Sequence, residues 1–575
     1  MTVASARSGD DRSMRLDGLE VGGASENVTH LPGVLDRESL VERIRASVIG
    51  DDTVLDGPFG GRRLVYADYT ASGRALSFVE SFIREEVLPL YANTHTDASA
   101  TGRRMTRLRE DARRLIHRSV GGSRKDVVVF CGTGSTGAID KLVQVLALRI
   151  PAALDDRYGL SKRIPEAERP VVFVGPYEHH SNELPWRESI ADVVAIGLDA
   201  DGGIDLVQLE EELRRHAGRL VKIGSFSAAS NVTGIVTDVD RVSALLHRHG
   251  ALSCWDYASA GPYLPIEMNP SSHRLAYKDA VFLSPHKFVG GPGTPGVLVA
   301  KRSLFRNEVP AVPAGGTISF VSPTGHSYHP DPEVREEGGT PAIVESIRAG
   351  LVFALKDAIG TGEIRRRERD FARRALDSWR ENPRIELLGN LERERLAIVS
   401  FGLRHPPGLL HSNFVAAVLN DLFGIQARSG CFCAGPYLHR IYGIDARWSR
   451  RMSAQAERSS FPAMVCEEVH GAHDVVEDGL AREVVEAHTH ERDLRAEVPV
   501  PSTASTRGAA SGSTRADRPG GSSASRTSPT SPGGSSSTVR APPSRRASCR
   551  ATSRMRPGSS ARSSCLLRRA PTSPR

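Results

Sequence analysis

The sequence predicts an α/β protein: a large domain on a mainly parallel sheet, a smaller α/β C-terminal domain, and a disordered tail. Three observations carry this. From residue 62 to about 305, short β-rich apolar runs (DVVVF at 126, PVVFVG at 170, LVKIGSF at 220, ALSCWD at 251, AVFLSP at 280, GVLVAK at 296) alternate with amphipathic helical stretches. That alternation marks a parallel sheet covered by helices on both faces. From about 345 to 455, helix and strand patterns return around RLAIVSFGL and SNFVAAVLNDLFG. After Phe461 the remaining 114 residues contain no Phe, Tyr or Trp, and so little apolar bulk cannot offset the entropy of ordering the chain.

Taken in order, residues 1–45 read as a flexible leader that adds a helix near HLPGVLDRESLVERIRASVIG, 46–345 as the large domain, 346–460 as the small domain, and 461–575 as the low-complexity tail. Beyond residue 500 the sequence collapses into Ser, Arg, Pro, Gly, Thr and Ala; a reading-frame shift near Glu457 is a further hypothesis for this break, which resequencing the gene tests. The leader mixes charges without the apolar stretch of a secretory signal, and no run reaches membrane-spanning length. A cytoplasmic location with no membrane partner is expected. Seven scattered cysteines suit reduced thiols better than a disulfide framework. The net charge of +7 sits in the tail: beyond residue 500 there are 14 Arg, no Lys and one Asp, so the first 500 residues are net acidic. Without aromatic stacking partners the tail reads as solvated chain, and no nucleic-acid partner is expected.

Only eight lysines occur in the whole chain. Lys287 stands apart, in AVFLSPHKFVGGPGTPGVLVA, where a β-run ends, Ser284 and His286 flank the lysine, and a Gly-rich turn follows. A lysine so placed can reach a cleft and carry an aldehyde; the alternative is a surface lysine in a loop. Asp256 ends the apolar run of HGALSCWD, where a carboxylate can hold a pyridine nitrogen protonated or simply open a turn. In FCGTGSTGAIDKLVQVL, Gly132, Gly134, Ser135 and Thr136 lie between a strand and an amphipathic helix. Free N–H groups and hydroxyls there bind phosphate, although a plain strand-to-helix turn has the same look.

In this order and at nearly this spacing, the elements resemble the aminotransferase class V family of pyridoxal 5'-phosphate (PLP) enzymes, above all cysteine desulfurases and selenocysteine lyases. YADYTASG (66–73), YEHHSNELPW (177–186), SAASNVTGIV (227–236) and EEGGTPAIVESI extend the likeness over roughly residues 60 to 440. The resemblance implies PLP fold type I, with Lys287 holding the cofactor as a Schiff base and Asp256 facing the ring nitrogen. It implies that His179, or failing it His180, stacks on the ring and that Asn231 bonds the phenolic oxygen. Gly134, Ser135, Thr136, Ser284 and His286 would surround the phosphate, and Thr340 would reach the phosphate of the other subunit in a homodimer.

ARSGCFCAGPYLHRIYG (427–443) resembles the Arg-x-Gly-x-x-Cys-Ala loop of the desulfurases, with Arg428 and Cys433 at the matching positions, and its Gly-Cys-Phe-Cys run looks like the desulfurase-like domain of molybdenum cofactor sulfurases. The resemblance implies sulfur transfer from L-cysteine, giving alanine and a persulfide on Cys433, with Arg428 on the substrate carboxylate and a protein as a sulfur acceptor. Cys431 reads as a resolving thiol or a disulfide partner of Cys433, and no metal is assigned. Two alternatives stay open: a class V aminotransferase or other α-carbon chemistry with no cysteine role, and a catalytically inactive PLP-binding protein.

Overall fold

The computed structural model describes residues 37–406 and 408–456, together with the short strands Met14–Leu16 and Leu19–Val21. The expected tail from 461 and the break at Glu457 lie outside the described residues, as does most of the leader.

The β-rich runs form one sheet of seven strands: β1 (Asp126–Cys131), β2 (Val171–Val174), β3 (Asp192–Ala195), β4 (Lys222–Ser227), β5 (Leu252–Asp256), β6 (Ala280–Leu283) and β7 (Gly296–Lys301), in the spatial order β1-β7-β6-β5-β4-β2-β3. Strands β6, β5, β4, β2 and β3 pair in parallel, and β7 runs antiparallel to both β6 and β1. The expected mainly parallel sheet is therefore present, with one reversed strand inside it.

Side chains alternate between the two faces of a strand, and here both faces are covered. Val128 and Phe130 of β1 and Phe173 of β2 belong to one core cluster, while Val127, Val129 and Val172 belong to the other. This double burial explains why the strands read as continuous apolar runs rather than as alternating ones.

Helix α1 (Ala100–Ser119) packs against α2 (Ile343–Ile359), whose Ile347, Leu351 and Phe353 are buried. The boundary expected between residues 345 and 346 thus falls inside a helix packed on the large sheet's covering layer. Beneath α1 lies a buried ion network. Arg113 donates to both Glu337 oxygens at 3.0 and 3.1 Å, Arg109 bonds the same carboxylate, and the Phe130 N–H donates to it at 2.6 Å.

After α2 and the following helix, a small antiparallel sheet joins β8 (Ile385–Leu387), β9 (Phe401–His405) and β10 (Gly408–Leu409). Helix α3 (Ser412–Phe423) follows, and Ile425–Gln426 then pairs in parallel with Val65–Tyr66. That long-range pairing carries Arg428 to the start of the YADYTASG turn. Among the described residues, no helix is long and apolar enough to cross a membrane.

Candidate active site

In an open α/β sheet, ligands bind outside the carboxyl ends of the parallel strands, because the loops there converge without crossing the layers. The sequence-predicted residues obey this rule. Gly132–Thr136 follow β1, His179 and His180 follow β2, Asn231 follows β4, Asp256 ends β5, and Lys287 sits on a single helical turn after β6. Residues separated by more than 100 positions meet in a cavity of about 240 Å³ lined by Asp68, His179, Asn231, Lys287, Arg428 and Phe432.

Lys287 is the electrostatic centre. Burial is the largest influence and pushes its amine below the ordinary lysine range; Arg428 adds to this, while Asp256, Asp68 and Cys433 act against it. Burial likewise pushes the Asp256 carboxyl up, opposed by the Ala258 N–H, which donates at 2.8 Å, by Lys287, and by a hydrogen bond from Ser135. His179 is driven down to about 4 by burial first, then by Lys287, His180 and Arg428, so its ring is neutral at neutral pH. Its Nδ1 accepts from the Ser181 N–H at 3.1 Å, which places the ring proton on Nε2.

The turn after β1 approaches that after β6 closely. The Ser135 N–H donates to Ser284 Oγ at 2.8 Å. Gly134 has φ +54°, and a Cβ built there would lie 2.8 Å from Ser284 Oγ and 3.6 Å from His286 Nε2. The glycine therefore leaves a hollow among Ser135, Ser284 and His286. One layer beneath, a Cβ on Gly296, the first residue of β7, would stand 1.9 Å from the Gly134 carbonyl oxygen, so only glycine lets the loop sit this deep. Thr136 Oγ1 shares a 2.7 Å hydrogen bond with Ser181 Oγ.

The cysteine loop lies across the same region. The Asn231 amide donates to the Phe432 carbonyl at 2.7 Å, the His180 N–H donates to the Cys433 carbonyl at 2.7 Å, and the Gly435 N–H donates to His180 Nε2 at 3.0 Å. Phe432 and Cys433 have φ +50° and +55°, a left-handed conformation that costs a non-glycine residue on the order of 1–2 kcal/mol each. Cys431 and Cys433 are both partly exposed; Cys431 packs against the apolar core, and Cys433 acts electrostatically on Lys287. Cys131 and Cys254 are buried in the sheet. Among the described residues, no group of three His, Cys, Asp or Glu is arranged to hold a metal ion.

Thr340 does not join this constellation: it is exposed, does not line the cavity, and accepts from the Asn93 amide at 3.3 Å. The structure adds residues that sequence reasoning did not single out. Asp68, inside the quoted YADYTASG turn, faces Lys287 and Arg428, and burial pushes its carboxyl up. Ser72 Oγ and the Gly73 N–H both donate to the His286 carbonyl, at 3.2 and 2.9 Å, which seats that turn on the lysine turn. Glu178, next to His179, is buried and pushed up to about 7, by desolvation first and by the nearby Asp256 charge. Hydrogen bonds from Ser227 and Asn182 pull the other way.

A family model described as aminotransferase class-V matches residues 65–468. A probable cysteine desulfurase of Streptomyces coelicolor is 28% identical over 425 residues, spanning 73% of this chain and 93% of that protein. Another from Halalkalibacterium halodurans is 28% identical over 389 residues, spanning 67% and 87%. Among solved structures, the apo cysteine desulfurase of Thermococcus onnurineus NA1 superposes with TM-score 0.55 at 24% identity, over 70% of this chain and 91% of that one. A cysteine desulfurase from Escherichia coli gives 0.54 at 22%, over 70% and 90%. These two likenesses speak to the fold.

Proposed function

The chain belongs to the aminotransferase class-V family and is a PLP-dependent enzyme, and from that premise we propose that it transfers sulfur from L-cysteine to its own Cys433, releasing alanine. The observation that carries this reading is the placement of the Cys433 loop, which the residues around Lys287 hold by three hydrogen bonds. The activity named for the similar bacterial proteins supports it.

The residues present suit the cofactor. The hollow that a Cβ on Gly134 would fill is bordered by a backbone N–H, the Ser284 hydroxyl and His286, the donor set a phosphate requires. When bound, PLP supplies an aldehyde that condenses with amines and a ring that accepts electrons from the substrate.

The chain's own residues divide the remaining work. Asp256 would hold a proton at the ring nitrogen, and the neutral His179 ring would lie against the cofactor face. Lys287, its amine kept below the ordinary lysine range, would hold the cofactor aldehyde and would take a proton from the substrate at Nζ. Arg428, on the rim of the cavity, would pair with the substrate carboxylate. Cys433 takes up the substrate sulfur. One S–S bond forms, one C–S bond breaks, and the hydrogen count balances between the two thiols consumed and the persulfide and alanine produced. Asn231 would reach the phenolic oxygen with the N–H not used on Phe432. A protein acceptor would then take the persulfide sulfur. Exposed Thr340 is assigned to the phosphate site of a partner subunit in a homodimer.

The test is alanine and sulfide release from L-cysteine, with reductant, by the PLP-loaded protein and its Cys433→Ala variant. Alanine formation that vanishes in the variant while cofactor absorbance persists is the expected result. Equal alanine formation in the two proteins would overturn the role of Cys433, and none from either would overturn the desulfurase reading.

A further inference from the structure

The two histidines of the EHH run do different things. His179 lines the cavity with Lys287. His180 bonds the cysteine loop on both sides of Ala434: its N–H donates to the Cys433 carbonyl at 2.7 Å, and its Nε2 accepts the Gly435 N–H at 3.0 Å. The second bond requires Nε2 to be unprotonated, so a neutral ring carries its hydrogen on Nδ1. Within the loop itself, the Ala434 N–H donates to the Cys431 carbonyl at 2.9 Å. Phe432 and Cys433 lie in succession at φ +50° and +55°, and two adjacent non-glycine residues keep such a conformation only where surrounding contacts over-determine it. Contacts from outside the loop include Asn231 on one side and His180 on the other.

Resting on the desulfurase reading, we propose that His180 is the positioning residue of the reactive cysteine: its backbone and ring bond Cys433 and Gly435 and so hold the left-handed turn at Phe432 and Cys433 that presents the thiol toward Lys287. The tripeptide Glu178–His179–His180 therefore sets one ring against the cofactor site and uses the next to hold the thiol. Without the Gly435 bond, the turn relaxes toward ordinary φ values and the thiol, already half-exposed, turns away from Lys287 and further into solvent.

The full PLP-loaded chain tests this, with His180→Ala compared against His180→Gln, whose amide oxygen can accept the Gly435 N–H. The first readout is the alkylation rate of Cys433 by iodoacetamide without substrate, located by peptide mass spectrometry with Cys431 as the internal reference. The second is kcat against KM for alanine release. His180→Ala is expected to raise Cys433 alkylation about tenfold, the change for one lost hydrogen bond, and to lower kcat with KM nearly constant. His180→Gln restores both. His180→Asn, too short to reach the Gly435 N–H, repeats the comparison if the alanine variant fails to load cofactor. Wild-type alkylation of Cys433 in cofactor-loaded His180→Ala or His180→Asn overturns the proposal. Because alkylation needs no turnover, it decides the matter even if no alanine forms and the desulfurase reading falls.

Discussion

Glu337 and Asp256 are both buried carboxylates, and the molecule treats them in opposite ways. Burial pushes each upward, but two guanidiniums and a backbone N–H surround Glu337, and its carboxyl ends below the ordinary range. Asp256 has one backbone N–H, a serine and a lysine whose own charge is disfavoured, and it ends above that range. A buried charge that is fully compensated serves the fold, whereas one left short of partners remains available to a ligand. The contrast separates the scaffold from the site without reference to any likeness.

The largest effect should come from the compensated side. Glu337→Gln leaves Arg109 and Arg113 buried without a counter-charge and should lower stability by about 3–5 kcal/mol, read as a shift in the chemical denaturation midpoint. Asp256→Asn keeps an oxygen for the Ala258 N–H, so stability should stay within about 1 kcal/mol while turnover falls about 10²-fold. Equal destabilisation by the two substitutions would erase the distinction.

The smallest effect is a pH slope. The His179 ring is lowered from 6.5 to about 4, so its stabilising contribution is complete above pH 6.5 and is lost as pH falls toward 4. Glu178 acts in the opposite sense: raised from 4.5 to about 7, it contributes fully below pH 4.5, and the contribution is lost as pH rises through 7. In wild type the two slopes oppose each other between about pH 4.5 and 6.5. His179→Phe should therefore leave a protein whose stability, measured by urea midpoints at pH 5 and 6.5, falls more steeply with rising pH than wild type does.

The sheet and the residues gathered at its carboxyl edge were largely legible in the chain because each is announced locally: an apolar run that stops, followed by glycine, hydroxyl or charge. Lys287, Asp256 and the Gly134–Thr136 turn are of this kind. Asp68 was harder, since its meaning depends on the pairing of Val65–Tyr66 with Ile425–Gln426, strands 360 residues apart. The Glu337 network was not legible at all, because Arg109 and Arg113 look like ordinary charges on an amphipathic helix until the fold closes over them. In the sequence His180 offers only a substitute for His179. Its bond to the Gly435 N–H, 255 positions away, is a product of tertiary contact. The boundary at 345/346 rested on where the pattern changed, whereas α2 follows what it packs against.

Gly296, the first residue of β7, acts from outside the cavity. The close approach of its backbone to the Gly134 carbonyl sets how far the hollow among Ser135, Ser284 and His286, the proposed phosphate site, recedes into the protein. A methyl group there would lift the loop from beneath and leave Lys287, Asp256 and Cys433 where they are. Such a protein would carry out each chemical step at its usual speed while it held cofactor, but the cofactor's residence time would shorten, so the lesion would appear as a dependence on added PLP.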